Sequence, residues 1–484
     1  MNVQSHLFVL AYLPAVLILW RVLNRRAGNR AARVFLLCGG ALFCGWGAPL
    51  ALLVLAGEGA LSYLLGRRIA RDRAKGRPLL WAGAAVLLAV LAFFKYTGFA
   101  LSLTPLEGMF TPPEFLAPLG LSFVTFQQIF WLRDCYDGKT GQEESPLDYA
   151  CCLTFFATAT CGPITRVGEL APQFKRPAPF SWEELSAGLY CFGLGLAKKV
   201  LVAGVFANGA DYGFAAAGDL APMDAALTIL CYTLQIYVDF SGYCDMASGM
   251  ARMMGVNLPV NFNSPYRAVS VKDFWGRWHI TLSSFFRDCV YIPLGGNRRG
   301  TLVTCRNIMI IFLLSGLWHG AGWGFLIWGA LHGAAQVVER LLRGKVSLPK
   351  PVAWLATFLF VNVAWVFFRA EGPQQALALL GGLFQTNWGL PSPEFSAALP
   401  PEVLSNALAY FQEVLAPAGQ ALVYWAPLLL IPAGLALLAL PNPVAQTEQG
   451  RFRPTAGKAV LCVVCIVVSV LFFSGVDTFI YENF

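Results

Sequence analysis

The chain alternates apolar stretches of about 16 to 28 residues with short polar loops that are rich in Lys and Arg. A helix of about 20 apolar residues is long enough to cross a membrane core of about 30 Å. The first stretch, residues 7 to 23, has no basic residue before it and no cleavage pattern of small residues after it, so we expect a retained first span. The pattern predicts an all-α, polytopic membrane protein.

The composition supports this class. Of 484 residues, 57% are hydrophobic and 13% are charged, against about 25% charged in an ordinary soluble domain. Most of the Cys residues lie inside apolar stretches, so we expect no disulfide framework. Cys462 and Cys465 form a CxxC within a Val, Ile and Leu run, where packing is favoured over a metal or redox role. The net charge of +8 lies in loops beside spans and indicates membrane orientation, not nucleic-acid binding.

The loop charges predict the orientation of the spans. Basic clusters at residues 21 to 33 and 67 to 77 belong on the cytoplasmic side by the positive-inside rule. Residues 370 to 450 contain no Lys or Arg, so their polar part is expected outside. The basic and aromatic segment from 267 to 306 is too polar to span and is placed at the cytoplasmic face. Alternating the side of the membrane from one loop to the next, in agreement with these charges, predicts about twelve crossings, a re-entrant segment at 148 to 160, and both termini outside.

One of the four His residues stands out. His319 ends an apolar run in LLSGLWHGAGWG, residues 313 to 324. We expect the preceding helix, residues 307 to 318, to rise only about 18 Å, so that His319 stops short of the outer surface. An ionisable side chain at membrane depth usually faces protein or a water-filled cavity and marks function. A structural His bonded to a backbone carbonyl is the alternative.

A second candidate segment is KDFWGRWHITLSSFFRD, residues 272 to 288, which contains His279. It is either a surface helix whose Arg groups reach lipid phosphates, or a vestibule whose positive charge attracts an anionic donor and whose aromatic residues line an acyl channel. Residues alone leave both interpretations open. We expect His332 to be packed or hydrogen-bonded, and Asp239 and Asp245 to be either structural partners of the Arg-rich segment or catalytic.

Two long motifs resemble a known family. The segment NFNSPYRAVSVKDFWGRWHITLSSFFRDCVYIPLGGNRRG (261 to 300), followed by SGLWHGAGWGFLIWGALHG (315 to 333), resembles the membrane-bound O-acyltransferase superfamily. The similarity is greatest to the branch that contains the membrane subunit of alginate O-acetyltransferase, with the D-alanyl lipoteichoic acid transferase more distant. Further motifs extend it over most of residues 30 to 370: LAPLGLSFVTFQQ, CGPITRVGELAPQF, GLAKKVLVA and YVDFSGYCDMASG.

The resemblance implies a fold and a division of the chain. The expected fold is a ring of helices around a thinned centre, with re-entrant helices and a cytoplasmic funnel that leads to the active-site histidine. One membrane domain would then have three parts. Residues 1 to 110 form N-terminal spans, 111 to 370 the acyltransferase core, and 371 to 484 an external loop, two C-terminal spans and an aromatic tail.

The resemblance also implies site residues. His319 matches the active-site histidine, and His279 matches the second, cytoplasmic-side histidine. No metal is implied. The residues expected to bind substrate are Trp275, Arg277, Trp278, Arg287, Asp288, Asn297 and Trp318.

The chain ends in DTFIYENF, residues 477 to 484. An aromatic belt at the membrane interface is one interpretation. The segment also resembles the C-terminal aromatic motif of alginate-type members, in which a Tyr is proposed to carry the acyl group, and that Tyr matches Tyr481. Glu482 and Asn483 depart from the aromatic or basic neighbours of that motif, and both interpretations stay open.

The implied activity is O-acetyl transfer in the bacterial cytoplasmic (inner) membrane. Acetyl-CoA would donate from the cytoplasm, and His319 would act as general base on a hydroxyl, either that of Tyr481 or one brought in directly. An extracytoplasmic partner of the SGNH type would then O-acetylate a polysaccharide such as alginate, cellulose or a related glycan. The alternatives are D-alanyl transfer from a carrier protein to teichoic acid and a proton-coupled transporter, against which the absence of an internal repeat counts.

Overall fold

The computed structural model describes residues 1–105, 118–400, 412–448 and 450–473, and the regular secondary structure of these residues is entirely helical. The predicted all-α class is therefore confirmed. The first ten α-helices are α1 (Leu13–Arg26), α2 (Asn29–Cys44), α3 (Ala51–Arg71), α4 (Gly76–Ser102), α5 (Leu121–Asp137), α6 (Pro146–Leu153), α7 (Val167–Lys175), α8 (Trp182–Ala197), α9 (Ala203–Ala215) and α10 (Pro222–Met253). The others are α11 (Val271–Trp275), α12 (Ile280–Phe286), α13 (Thr301–His319), α14 (Trp323–Leu342), α15 (Lys350–Arg369), α16 (Pro373–Gly382), α17 (Pro393–Ala398), α18 (Gln412–Leu438), α19 (Pro443–Glu448) and α20 (Ala456–Leu471).

Several helical segments can cross a membrane. Within the described residues, six are long and apolar enough: Phe8–Arg26, Gly76–Ser102, Trp182–Ala215, Thr301–His319, Lys350–Arg369 and Tyr424–Glu448. The prediction of an integral, multi-pass membrane protein is confirmed. The count of about twelve crossings stays a prediction.

The segments expected not to span are indeed short or irregular. Helix α6 has 8 residues and is followed by buried, irregular chain. Helices α11 and α12 have 5 and 7 residues and lie in the basic, aromatic segment. At 1.5 Å per residue none of these helices can cross a core of about 30 Å.

The long helix α10 forms the centre of the fold, and almost all of its 32 residues are buried. It packs on α8, on α9 and on the π-helical turn Lys198–Val202 that joins them. Lys198 Nζ pairs with Asp245 Oδ2 at 2.6 Å, and Lys199 pairs with Asp239. Of the two interpretations left open for these Asp residues, the structure favours a structural role, but the lysines of this turn and not the Arg-rich segment supply the ion pairs.

Helix α13 is longer than expected. It has 19 residues and begins at Thr301, so it rises about 28 Å and not about 18 Å. The error arose because its polar first turns were assigned to the preceding loop. Thr304 Oγ1 bonds the carbonyl of Gly300 at 2.8 Å, and Asn307 Nδ2 bonds the carbonyl of Gly296 at 3.0 Å, so these polar groups are satisfied within the structure.

Helices α13 and α14 approach closely through glycine. A Cβ atom on Gly316 would lie 2.3 Å from the carbonyl oxygen of Phe325, and one on Gly329 would lie 2.4 Å from that of Phe312. Small residues permit such close backbone packing between membrane helices. This contact fixes the end of α13 against α14, and His319 is the last residue of α13.

Candidate active site

His319 lies buried at the C-terminal end of α13, with 2% of its surface exposed. Its ring is enclosed by three aromatic rings, with centroid distances of 4.9 Å to Trp318, 5.1 Å to Trp328 and 5.1 Å to Phe368. The chain leaves the helix at Gly320, whose backbone is extended. Trp328 and Phe368 come from α14 and α15, so sequence analysis gave no signal that could place them here.

A cavity of about 820 Å³ opens beside His319, and we call it the histidine cavity. Trp318 and His319 line it from α13, together with the Gly-rich turn that follows. Its charged lining residues, among those described, are Lys95, Arg369 and Glu371. Ligand sites are typically concave and mostly apolar with a few polar groups. His319 therefore reaches a space large enough for a small substrate.

Lys95 is a site residue that the sequence analysis missed. It lies in α4, lines the histidine cavity, and donates from Nζ to the carbonyl of His319 at 3.1 Å. It also donates to the carbonyl of Trp318. The signal that could have found it is a single basic residue within an apolar span, since such residues are costly in a membrane.

His279 is fully buried and precedes α12. Its Nδ1 lies 3.2 Å from Asn261 Oδ1, which also accepts the backbone N–H of Thr281 at 3.2 Å. Since that oxygen is an acceptor, Nδ1 of His279 is the donor. Its ring packs on Phe240 and, at 6.1 Å, on Trp318, the same indole that His319 contacts. The structure thus brings both histidines onto one Trp, although His279 lines neither of the two cavities described here.

A second cavity of about 1150 Å³ lies beside the basic segment, and we call it the basic cavity. Three residues expected to bind substrate line it, namely Trp275, Arg287 and Asn297. Its charged lining residues among those described are five cations and one carboxylate, Lys272, Arg287, Arg340, Arg343, Lys350 and Glu339. Glu339 is engaged by the backbone N–H groups of Val271 and Lys272, at 2.5 and 3.0 Å. The cavity therefore presents a net positive surface.

Three aromatic rings connect the wall of the basic cavity to His319, and we call them the aromatic partition: Trp275, Phe312 and Trp328. Trp275 packs on Phe312 at 5.1 Å and on Trp328 at 5.7 Å, and Trp328 packs on His319. Trp275 Nε1 donates to His332 Nδ1 at 3.2 Å, so His332 is hydrogen-bonded in the structure. The partition forms a continuous path of rings from the wall of the basic cavity to His319.

The other residues expected to bind substrate lie in different surroundings. Trp318 lines the histidine cavity. Trp278 is buried among Phe262, Phe274 and Trp365, and neither it nor Arg277 or Asp288 lines one of the two cavities. Arg277 bonds Asp273 at 2.7 Å, and Asp288 bonds Arg287 at 2.7 Å and Arg166 at 2.5 Å. Tyr481 lies outside the described residues.

The carboxyl group of Asp288 is held ionised by its neighbours. Partial burial acts to raise its pKa, but hydrogen bonds from Arg287 and the charges of Arg287 and Arg166 lower it more. The net result is a pKa below the ordinary value for Asp. Arg287, which lines the basic cavity, is therefore held in place by an ion pair with the ionised carboxylate of Asp288.

Comparisons with known proteins find relatives over most of the chain. The sequence model described as "MBOAT, membrane-bound O-acyltransferase family" matches residues 139–381. The "Peptidoglycan O-acetyltransferase" of Helicobacter pylori is 38% identical over 422 residues, covering 79% of this chain and 80% of the relative. The "Probable alginate O-acetylase AlgI" of Pseudomonas aeruginosa is 39% identical over 394 residues, covering 79% and 74%. The protein of the same name from Azotobacter vinelandii is 35% identical over 467 residues, covering 94% and 91%.

Proposed function

We propose that this chain, which belongs to the membrane-bound O-acyltransferase family, moves an acetyl group from acetyl-CoA in the cytoplasm. The acceptor lies outside the bacterial cytoplasmic membrane. Membership confirms the resemblance recognised in the sequence and the predicted enzyme class, a membrane O-acyltransferase, and it sets the transporter alternative aside. Acetyl as the acyl group is supported by the names of the three relatives, which specify O-acetyl transfer.

The main support for the proposal is that both cavities are lined by residues near the C-terminal end of α13. Ser315 lines the basic cavity, and His319, four residues later, lines the histidine cavity. Four residues of α-helix rise about 6 Å. A thioester held at the partition would therefore lie about one helical turn from a base that faces the opposite cavity.

The basic cavity fits the donor. Coenzyme A carries phosphate groups, and clefts lined by one sign of charge raise the local concentration of an opposite charge. Lys272, Arg340 and Arg343 supply that charge, and by the positive-inside rule the basic segments that carry them face the cytoplasm. The acyl arm would then extend along Trp275 and Phe312 toward the partition.

The proposed reaction needs one base. The neutral imidazole of His319 removes the proton from an acceptor hydroxyl, whose oxygen attacks the thioester carbonyl carbon. The carbon–sulfur bond breaks, the sulfur takes up the proton that His319 returns, and the products are an O-acetyl ester and free coenzyme A. General base catalysis of this kind contributes about 10²- to 10⁴-fold to the rate. His279 is proposed to act indirectly, by holding Trp318 against His319.

The acceptor is proposed to arrive through the histidine cavity. Tyr481 is one candidate hydroxyl, on the sequence resemblance of its segment, and direct entry of a partner is the other. The acetyl group then passes to an extracytoplasmic enzyme of the SGNH type that O-acetylates a polysaccharide. We also propose about twelve crossings, and a ring of helices whose cytoplasmic funnel is the basic cavity.

The test is acetyl transfer by purified protein in vesicles, with radiolabelled acetyl-CoA and mass measurement of the product. His319→Ala is expected to lose about 10²- to 10⁴-fold in rate, while acetyl-CoA binding stays normal because His319 does not line the basic cavity. His6→Ala is the matched control, since His6 is exposed and contacts the end of α20. Wild-type transfer by His319→Ala would refute the proposal.

Tyr481 has its own measurement. Protein incubated with acetyl-CoA and without a partner is expected to carry one acetyl group on the peptide that contains Tyr481. An unmodified peptide from an enzyme that still transfers acetyl would establish direct transfer to the partner.

A further inference from the structure

We infer that Lys95, assisted by Tyr96, is a positioning residue that clamps the end of α13 and so fixes His319 in the histidine cavity. The inference rests on the proposed function of His319, because positioning matters only if this imidazole reacts. It concerns a part of the chain outside both long motifs, since Lys95 lies in α4 and its partner His319 lies more than 200 residues later.

The clamp joins two adjacent side chains to three consecutive carbonyl groups. Lys95 Nζ donates to the carbonyl oxygen of His319 at 3.1 Å and to that of Trp318. Tyr96 Oη donates to the carbonyl oxygen of Leu317. The ammonium of Lys95 also lies 5.8 Å from the ring centroid of Trp318, within range of a cation–π contact. One residue of α4 therefore contacts both the backbone and the indole at the end of α13.

The end of a membrane helix requires such donors. The last carbonyl groups of an α-helix have no partner within the helix, and a cation near that end also interacts favourably with the helix dipole. Within a membrane there is little water to satisfy these groups, so an unpaired carbonyl is costly. A Lys side chain supplies several N–H donors on a long stem and can reach more than one carbonyl.

The positions of the two helices explain why the clamp forms here. Lys95 lies about 29 Å along α4 from Gly76, and His319 lies about 27 Å along α13 from Thr301. Basic loops precede both helices, so we expect them to run in the same direction and to end at a similar depth. The clamp therefore fixes the depth of His319 in the membrane relative to α4. The length of α13 alone does not fix that depth.

A purely structural role makes a different prediction. If Lys95 only held α4 against α13, its loss would reduce the amount of folded protein, and the protein that remained folded would turn over normally. A positioning role reduces kcat of the folded protein, since a displacement of about 1 Å in a reacting group can cost about 10²-fold. It leaves KM for acetyl-CoA unchanged because Lys95 does not line the basic cavity.

The experiment compares Lys95→Met, Lys95→Gln, Lys95→Arg and Tyr96→Phe in vesicles, with Thr97→Val as the matched control. Thr97 directly follows Tyr96, is half-buried, and its hydroxyl donates to the carbonyl of Phe93 within α4, at 2.6 Å. We expect kcat per folded molecule to fall about 10²-fold in Lys95→Met and less in Lys95→Gln, which keeps an N–H donor. Lys95→Arg should restore most of the rate, because its guanidinium can bond two carbonyls.

A second readout follows His319 itself. Carbethoxylation of its ring by diethyl pyrocarbonate, measured on the peptide by mass spectrometry, should be slow in the wild type, where the ring is buried, and faster in Lys95→Gln. Wild-type kcat and wild-type labelling in Lys95→Gln would overturn the inference. The inference would also be overturned if kcat fell as far in Lys95→Arg as in Lys95→Met. His319→Ala is measured in the same assay: if it stays active, the proposed function fails, whereas an inactive His319→Ala beside a fully active Lys95→Gln refutes the clamp alone.

Discussion

The basic cavity and the histidine cavity differ in what lines them. The basic cavity is the larger, at about 1150 Å³ against about 820 Å³, and its described lining has five cations and one carboxylate. The histidine cavity instead has Trp318, His319 and a Gly-rich turn, with two cations and one carboxylate among its described lining residues. Charge attracts an anionic substrate over a distance, whereas reaction depends on the placement of a few atoms.

This difference assigns separate tasks to the two sides of α13. Variants on the basic side should change how tightly acetyl-CoA binds, and variants on the histidine side should change turnover. The aromatic partition and the glycine contact between α13 and α14 couple the sides, since both cavities share that helix.

The largest effect is expected where the two sides meet. In Gly316→Ala, the new Cβ would lie 2.3 Å from the carbonyl oxygen of Phe325, so α13 must move away from α14 and carry His319 with it. A shift of about 1 Å is expected to lower kcat on the order of 10²-fold. Gly57→Ala is the control, because no described atom outside its own neighbourhood lies within 4 Å of its Cβ. Normal turnover in Gly316→Ala would show that the site does not depend on this contact.

The second prediction isolates the charge of the basic cavity. Arg340→Gln combined with Arg343→Gln should raise KM for acetyl-CoA by about 10- to 100-fold, because each lost cation weakens attraction to phosphate by about 1 kcal/mol or more near a protein surface. The difference should shrink as salt is added. Arg25→Gln combined with Arg26→Gln removes the same charge at the end of α1, outside the cavity, and should leave KM unchanged. A fall in kcat at constant KM would contradict the division of tasks.

The two sides were not equally predictable from the sequence. The basic cavity could be anticipated, because Trp275, Arg287 and Asn297 lie in one segment whose charge and aromatic content are visible in the order of residues. The histidine cavity could not, beyond His319 and its neighbour Trp318. Lys95 lies more than 200 residues before its partner; a lone cation in an apolar run marks the residue as unusual but does not show what it contacts.

The errors have local causes as well. The short estimate for α13 left Thr304 in the preceding loop and began the helix at Asn307. In the structure the side chains of both residues bond backbone carbonyls, and the helix already begins at Thr301. Trp278 lies beside His279 in the motif, yet its ring packs into the core among Phe262 and Trp365. Adjacent positions point in different directions, so a motif identifies a segment without telling which of its residues meet substrate.

The third prediction separates His279 from His319. His279 has φ of 43°, a conformation that Asn tolerates and β-branched residues do not. His279→Asn should keep the fold and lower kcat about tenfold, since Trp318 loses one packing partner, while His279→Val should fold poorly. The measurements are kcat, KM and the amount of folded protein. A loss in His279→Asn as large as that in His319→Ala, in a normally stable protein, would place His279 in the reaction.

The smallest effect is expected at Asp288, which holds Arg287 at the wall of the basic cavity. Because the pKa of Asp288 is lowered in the folded protein, its ionised form stabilises the fold above the ordinary pKa of about 3.9. That contribution disappears as the pH falls through the lowered pKa. Asp288→Asn should therefore be less stable than wild type by about 1 kcal/mol at pH 7, and the difference should shrink progressively once the pH falls below about 3.9.

The measurement at Asp288 is thermal unfolding in detergent over a series of pH values from 7 down into the acidic range. Asp72→Asn is the control, since Asp72 is 53% exposed and lies 3.9 Å from Lys75, so its removal should change little across the series. A difference for Asp288→Asn that stays constant as the pH is lowered would mean that the carboxyl group acts through packing. Arg287 would then be held by shape and not by charge, and the positive surface of the basic cavity would not depend on the acid behind it.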